Sequence, residues 1–180
     1  MSSMRIKSRE NPNLEISVFR GHFATRHSHN SHYLDITRMK HEYGMAADAA
    51  GILVQHYIYE KQIDTIVCMD GSEVIGTFLA GRLAKNDRFA VNSGRNVCIV
   101  TPEYDSNGQL IFRDNLAGMV SGKNVLLLIS TVNSGKTARR AMEPAGDRRG
   151  IQRDCKGGRG AGDEHLLPRG HPRLYDKPCA

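Results

Sequence analysis

The stretch VLLLISTVNSGKT, Val125 to Thr137, decides how the fold of this chain is interpreted. An apolar run breaks into a small polar loop that ends in Gly-Lys-Thr, and the residues that follow, TARRAME, have the composition of a helix. Where a strand passes through a glycine-containing loop into a helix, backbone N–H groups converge and the helix dipole favours an anion. The stretch therefore predicts a strand, a phosphate-binding loop and a helix.

Two earlier apolar segments indicate the rest of the sheet. IDTIVCM, Ile63 to Met69, ends at Asp70-Gly71, and NVCIV spans Asn96 to Val100. Between them, VIGTFLAGRLAKN has its apolar residues spaced as on one face of a helix, and a longer helical pattern runs from about Thr37 to Gln62. Strands that alternate with helices predict an α/β fold, with a central parallel sheet flanked by helices.

We expect the chain to divide into three parts. Residues 1–38 are polar and are predicted to form an N-terminal hood or irregular segment, with one strand-like piece from Leu14 to Phe19. Residues 39–143 would form the α/β core. Residues 144–180 contain 7 of the 18 glycines and 4 of the 6 prolines, with few large aliphatic residues, so a largely irregular tail is predicted.

The abrupt change at Pro144 has three competing explanations. The tail is a natural disordered extension, a Gly/Arg segment that binds nucleic acid, or the product of a frameshifted reading frame. We favour the frameshift because the break falls inside a predicted helix. Reading the neighbouring frames of the gene beyond the Glu143 codon would test this, since one of them should encode an apolar strand and helix.

Composition limits the classes of protein to consider. Hydrophobic residues make up 39% and charged residues 24% of the chain, as is ordinary for a globular protein. The chain has neither an apolar run of about 18 residues nor a secretory pattern at its N-terminus, so a cytoplasmic location is expected. The net charge of +6 is scattered, which does not indicate a nucleic-acid partner.

Neither cysteine nor histidine spacing predicts a metal site. Cys68 and Cys98 lie in apolar runs, and none of the four cysteines has C-x-x-C spacing, so reduced and buried thiols are expected. His27, His29 and His32 approach Asp35 with H-x-H-x-x-H spacing, which is not a specific zinc pattern. A polar loop is the simpler interpretation of these histidines.

One family that uses such a phosphate-binding loop is the P-loop nucleotidases, with the pattern G-x-x-x-x-G-K-[ST]. Gly135, Lys136 and Thr137 match its end, but Ser130 stands where its first glycine provides a tight turn. No later apolar strand ends in an aspartate that would bind Mg²⁺. P-loop nucleotide binding is therefore the third alternative.

A second family matches over more of the chain. VLLLISTVNSGKTARR resembles the signature strand, loop and helix of type I phosphoribosyltransferases, and IDTIVCMDGSEVIGTFLAGRLA resembles their strand, pyrophosphate loop and helix. QLIFRDNLAGMVS with GKNVLLL is similar to the approach to the signature strand in the orotate subfamily. GHFATRHSHNSHYLDITRMK partly resembles the N-terminal segment of that subfamily. The resemblance covers roughly residues 14 to 143.

This resemblance implies an activity and a site. The substrates would be 5-phosphoribosyl-1-pyrophosphate with Mg²⁺ and a nucleobase, and family likeness also implies a possible homodimer. Asp70 and Glu73 equally suit the start of the following helix, where carboxylates are favoured, and Lys136 equally suits a helix surface. By resemblance, the 5′-phosphate would be bound by Thr131, Asn133, Ser134, Gly135, Lys136 and Thr137, and the pyrophosphate by Asp70, Gly71, Ser72 and Glu73.

The chain departs from the family pattern at the groups that support catalysis. Ile129 and Ser130 stand where the family has two carboxylates beside the ribose, and VTPEYDSNGQLIFRD lacks the lysines and histidine of the mobile loop in orotate enzymes. Besides aspartates, this segment offers only Glu103 and Arg113 as strong charges. Losing one preorganised charge costs about 3 kcal/mol, roughly a hundredfold in rate. Either acidic groups come from elsewhere in a divergent transferase, or the chain is a non-catalytic sensor of phosphoribosyl ligands or nucleotides.

Overall fold

The computed structural model describes residues 3–24, 29–85, 87–104, 110–133 and 135–142. The secondary structure of these ranges, in chain order, is β1 (Ser3–Lys7), β2 (Glu15–Ala24), β3 (His29–Asp35), α1 (Thr37–His41), α2 (Tyr43–Gln55), β4 (Thr65–Cys68), α3 (Glu73–Leu83), β5 (Cys98–Val100), β6 (Glu103–Tyr104), β7 (Leu110–Ile111), α4 (Asp114–Val120), β8 (Val125–Leu128) and α5 (Lys136–Met142).

The centre of the fold is a three-stranded parallel sheet with the order β5-β4-β8. Thr65 at the start of β4 pairs with Cys98 of β5 on one side and with Val125 of β8 on the other. All four residues of β4 are buried, which explains why Thr65 is followed by three successive apolar residues rather than by an alternating pattern. The mixed α/β content and the parallel sheet that the sequence predicts are confirmed.

The two faces of this sheet contact different helices. Ile66 and Cys68 of β4 belong to a buried cluster with residues of α2 and α3, which we call the α3-side cluster. Val67 and Met69 alternate with them and belong to a second cluster with Val120 of α4 and residues of α5, the α5-side cluster. Because neighbouring residues of a strand point to opposite faces, one short apolar segment contributes to both cores.

The N-terminal residues differ from the sequence prediction. Residues 1–38 are predicted to form a hood or irregular segment with one strand-like piece, and the described part of them forms an antiparallel sheet of three strands in the order β1-β2-β3. The sequence of β3, HNSHYLD, shows almost no alternation of apolar and polar residues. Its strand conformation therefore depends on pairing with β2 rather than on the local sequence pattern. The Tyr33 ring of β3 lies 6.3 Å from Phe19 and 5.6 Å from Phe23 of β2, between ring centroids.

The helical pattern from Thr37 to Gln62 is also interrupted. Helix α1 ends at His41, Glu42 is extended with φ −90° and ψ 126°, and α2 runs from Tyr43 only to Gln55. The helical segment predicted over this range is therefore confirmed in α1 and α2, but it is broken at Glu42 and ends at Gln55. The Arg38 guanidinium donates to both carboxylate oxygens of Glu42, at 2.7 and 3.0 Å, which holds the chain across the break.

Other predictions have mixed outcomes. Cys68 is free and buried as expected, whereas Cys98 is free but only half-buried. Across the described ranges, no helix has the length and apolar character needed to span a membrane. The predicted tail, residues 144–180, lies outside the described residues, and Cys155 and Cys179 belong to it. The three explanations of its composition stay predictions.

A hydrogen-bonded corner joins the amino ends of β4 and β8. The Asp64 carboxylate accepts from the backbone N–H of Asn124 at 2.9 Å, from its side-chain amide at 3.1 Å and from the Gln62 amide at 2.6 Å. The Asp64 backbone N–H also donates to the Asn124 carbonyl at 2.9 Å. The hydrogen bonds that the carboxylate accepts hold the pKa of Asp64 below its ordinary 3.8, and the bond from the Asn124 backbone has the largest effect.

This corner predicts a specific dependence of stability on pH. Because the pKa of Asp64 is lower in the folded chain, the unfolded chain binds more protons near pH 3.8. The stabilisation is present above that pH and is lost as pH falls through the lowered folded pKa. Denaturant unfolding of the wild type and of Asp64→Asn should show a difference that is largest near neutral pH and shrinks in acid. A difference independent of pH would contradict this.

Candidate functional site

The two loops singled out in the sequence lie side by side. Strands β4 and β8 are parallel neighbours, so the loops that follow them emerge at the same edge of the sheet. After β4 the chain continues into α3, which packs on one face of the parallel sheet. After β8 it continues into α5, which packs on the opposite face of the same sheet. Where connections diverge in this way, a crevice forms outside the carboxyl ends of the strands and commonly binds ligands.

The loop after β4 is a tight turn. Asp70 has φ 56° and Gly71 has φ 78°, and the Ser72 N–H donates to the Met69 carbonyl at 3.2 Å. Two successive residues with positive φ are characteristic of a type I′ turn, in which glycine and aspartate are favoured. The Asp70-Gly71 pair noticed in the sequence is therefore required by the backbone of this turn.

The turn is attached to β8 through one carbonyl oxygen. The Leu128 carbonyl accepts from the Met69 N–H at 2.9 Å and from the Ser72 hydroxyl at 3.1 Å. Ser72 is 1% exposed, so its side chain connects the two strand ends rather than facing a ligand. Of the four residues assigned to pyrophosphate by resemblance, Asp70 is exposed, Gly71 and Glu73 are half-buried, and Ser72 has this positioning role.

Glu73 begins α3, and its side chain reaches towards the end of β5. Its carboxylate accepts from the Thr101 hydroxyl, which follows β5, at 3.3 Å. The N-terminal cap of α3 is Ser72, which makes no side-chain capping bond, and Glu73 lies in the first turn, where a carboxylate is favoured by the helix dipole. Its position thus agrees with both interpretations given in the sequence analysis.

Two residues at the turn were missed by sequence reasoning. The Lys40 ammonium, from α1, donates to the Asp70 carbonyl, and the Lys40 side chain lies over Gly71. The Tyr104 phenol, from β6, has its pKa raised by burial and by the negative charge of Asp70. Both residues lie in segments compared with the family, but the resemblance assigns neither of them a role, and both contacts join positions about thirty residues apart along the chain.

The loop after β8 bends into a helix as predicted. Gly135 has φ 69°, α5 begins at Lys136, and the Arg139 N–H donates to the Gly135 carbonyl at 2.8 Å. Ser134 lies outside the described residues. Four of the residues assigned to the 5′-phosphate by resemblance have exposed side chains: Thr131, Asn133, Lys136 and Thr137.

The positions of the missing acidic pair differ in exposure. Ile129 is 6% exposed and belongs to the α5-side cluster, while Ser130 is half-buried. Glu103 and Arg113 flank the β6–β7 hairpin and pair with each other, Arg113 Nε lying 2.6 Å from Glu103 Oε1. These two charges are therefore directed at each other.

Three histidines, His22, His29 and His32, lie on the antiparallel sheet. His22 Nε2 and His29 Nδ1 lie 3.0 Å apart, and His32 contacts the Ser31 hydroxyl through Nδ1 at 2.8 Å. Within the ranges that the structure describes, no three His, Cys, Asp or Glu residues are placed to hold a metal ion. His27 lies outside those ranges.

Comparisons of the chain with family models, with curated proteins and with solved structures found no match. The function of the crevice is accordingly inferred from its residues and geometry.

Proposed function

We propose that the crevice binds 5-phosphoribosyl-1-pyrophosphate with Mg²⁺, and that the chain transfers the phosphoribosyl group to a nucleobase as a protein similar to the orotate phosphoribosyltransferases. One observation carries the proposal. The loops assigned by resemblance to the 5′-phosphate and to the pyrophosphate follow adjacent parallel strands, and the Leu128 carbonyl joins the pyrophosphate turn to β8.

The spacing of the loops suits a ligand with a phosphate at each end. Neighbouring strands lie about 4.8 Å apart, so two loops on adjacent strands can contact the two ends of one pentose. The loop after β8 offers the hydroxyl and ammonium groups of Thr131, Lys136 and Thr137, all exposed. The turn after β4 offers the carboxylates of Asp70 and Glu73, and Mg²⁺ in such sites binds carboxylate oxygens together with substrate phosphates.

The reaction itself requires positioning more than covalent help from the protein. A base nitrogen bonds to the anomeric carbon, the bond from that carbon to the pyrophosphate oxygen breaks, and pyrophosphate leaves with the electron pair. The residues of the crevice hold both phosphate groups, orient the anomeric carbon towards the base and offset the charge of the leaving group. Asp70 and Glu73 are the carboxylates of the turn after β4, which the resemblance assigns to the pyrophosphate.

A specific observation favours a second candidate, a non-catalytic sensor with the same ligand. The Ile129 side chain is buried in the α5-side cluster, so this position places hydrocarbon where the family has a carboxylate. Without that charge the positive sugar in the transition state loses about 3 kcal/mol of support, roughly a hundredfold in rate. Binding of the two phosphate groups in the ground state does not depend on that carboxylate.

Calorimetric titration with 5-phosphoribosyl-1-pyrophosphate and Mg²⁺ tests the proposal, followed by an assay of pyrophosphate release with orotate and with purines. Binding with turnover supports the transferase, and binding without turnover supports the sensor. Binding of ATP in place of the phosphoribosyl ligand would instead favour a P-loop nucleotide-binding protein. Absence of binding by all of these ligands would refute the proposal.

A paired substitution locates the ligand. Lys136→Gln, in the loop after β8, should weaken binding of 5-phosphoribosyl-1-pyrophosphate roughly tenfold or more, because a charge-assisted contact contributes about 1.5–3 kcal/mol. Lys123→Gln is the matched control, since Lys123 is exposed but precedes β8 at the opposite edge of the sheet. Equal effects of the two substitutions in the titration would place the ligand elsewhere.

A further inference from the structure

We infer that Lys40 supplies the positive charge that binds the pyrophosphate half of the ligand. This inference rests on the proposed function and assigns a binding residue to one half of the site. It starts from the position of α1, which places a basic side chain on the turn between β4 and α3.

The contact geometry leaves Lys40 able to bind an anion. Its ammonium donates to the Asp70 carbonyl, and a Cβ built on Gly71 would lie 3.7 Å from Lys40 Cδ and 3.9 Å from Nζ. An ammonium has three N–H donors, and the structure gives one of them an acceptor among the described residues. Among the described residues, no acceptor takes the remaining two.

The charges around the turn require such a group. Asp70 and Glu73 add two carboxylates to a site that would receive a highly charged anion, so an uncompensated ligand would be repelled. Mg²⁺ bound with the substrate offsets part of this charge. A cationic side chain in contact with the turn offsets more, and holds the phosphate oxygens in one place.

Two arginines on the described elements pair with carboxylates rather than with the turn. Arg38, also on α1, lies 2.7 Å from Glu42 and 3.1 Å from Glu15. Arg113 lies 2.6 Å from Glu103. Lys136 belongs to the loop after β8, which we assign to the 5′-phosphate. Lys40 therefore stands apart as the cation whose side chain touches the pyrophosphate turn.

A purely structural role makes a different prediction. If Lys40 only held the turn, its loss would disturb the whole crevice and would weaken both halves of the site together. If Lys40 binds pyrophosphate, its loss should weaken only the pyrophosphate half of the site. Lys40→Met keeps the aliphatic stem over Gly71 and removes the charge, whereas Lys40→Arg keeps the charge. Lys85→Gln, at an exposed lysine just after α3, is the control for net charge.

The experiment uses fragments of the ligand with the full chain. Calorimetric titrations with inorganic pyrophosphate plus Mg²⁺, and separately with ribose 5-phosphate, are run on the wild type and the three variants. We expect Lys40→Met to weaken pyrophosphate binding roughly tenfold and ribose 5-phosphate binding less than about twofold, with Lys40→Arg and Lys85→Gln near the wild type. The salt dependence of pyrophosphate binding should fall in Lys40→Met alone.

The outcomes separate this inference from the proposed function. Unchanged pyrophosphate binding in Lys40→Met, or equal loss of both fragments, overturns the inference even if the wild type binds 5-phosphoribosyl-1-pyrophosphate. If the wild type binds pyrophosphate through Lys40 but fails to bind that complete ligand, Lys40 remains a pyrophosphate-binding residue and the proposed function fails. A wild type that binds neither fragment overturns both.

Discussion

Replacing Asn92 with alanine is expected to lower the free energy of unfolding by about 2–5 kcal/mol, the largest effect we predict for a single side chain. Asn92 is 2% exposed and lies in the segment between α3 and β5. Its Oδ1 accepts from the Ile63 N–H at 2.9 Å, and its Nδ2 donates to the Ile63 carbonyl at 2.5 Å. The side chain thus acts as a short piece of strand beside the residue that leads into β4.

The size of the effect follows from what remains after truncation. Alanine leaves one buried N–H and one buried C=O of Ile63 without these partners, and each unsatisfied group costs about 1–3 kcal/mol. Urea unfolding measures the change. Asn96→Ala is the matched control because Asn96 is exposed in the same connection, and it should change stability by less than about 0.5 kcal/mol. Similar midpoints for the two variants would show that the Ile63 contacts contribute little.

The second large effect is expected at Gly76 on α3. A Cβ at this position would overlap the Cys68 sulfur, so alanine must displace buried atoms of β4 or α3. Such overpacking costs about 1–3 kcal/mol, although alanine is the better helix former by up to about 1 kcal/mol. Gly81, on the same helix, has nothing within 4 Å of its Cβ position, so Gly81→Ala should stabilise the chain. The two glycine substitutions should therefore change stability in opposite directions.

Removing the Cys68 sulfur tests whether it causes the cost of Gly76→Ala. Beyond Cys68, the nearest side-chain atoms to a Gly76 Cβ are Leu128 Cδ2 at 3.6 Å and Ile66 Cγ2 at 3.7 Å, which are ordinary contacts. Gly76→Ala should therefore be far less costly in a Cys68→Ala background, with a coupling energy of about 1 kcal/mol or more in a double-mutant cycle. Burial and the charge of Glu73 raise the pKa of Cys68 to about 11, so the thiol is neutral at pH 7 and charge does not confound the cycle. Additive effects would rule out the sulfur as the cause.

The sequence predicts the parallel sheet well because burial on both faces leaves a simple pattern. IVCM within IDTIVCM and VLLLI are continuous apolar runs, and they contain most of β4 and all of β8, two strands of the central sheet. The loops after them were assigned by following the chain past each run, and the structure places those loops next to each other. Adjacency itself could not be derived, because the order of strands is a property of long-range pairing.

Other elements lack a local signal. The strands β6 and β7 have two residues each, too few to show a period, and β3 is mostly polar. Lys40 and Asp70 are thirty positions apart, so only the packing of α1 brings them together. Ser72 looks like a ligand-binding serine in the sequence, but its hydroxyl is buried against β8. These features depend on tertiary contacts and require coordinates.

The shared bond at the Leu128 carbonyl has a consequence for selectivity. Because the Met69 N–H and the Ser72 hydroxyl both donate to it, the turn cannot move away from β8 without breaking both bonds. The distance between the two strand ends is then a fixed dimension of the scaffold. If the ligand proposed above spans the two loops, a rigid gap of this kind would select it by its length and would reduce the ordering cost of binding.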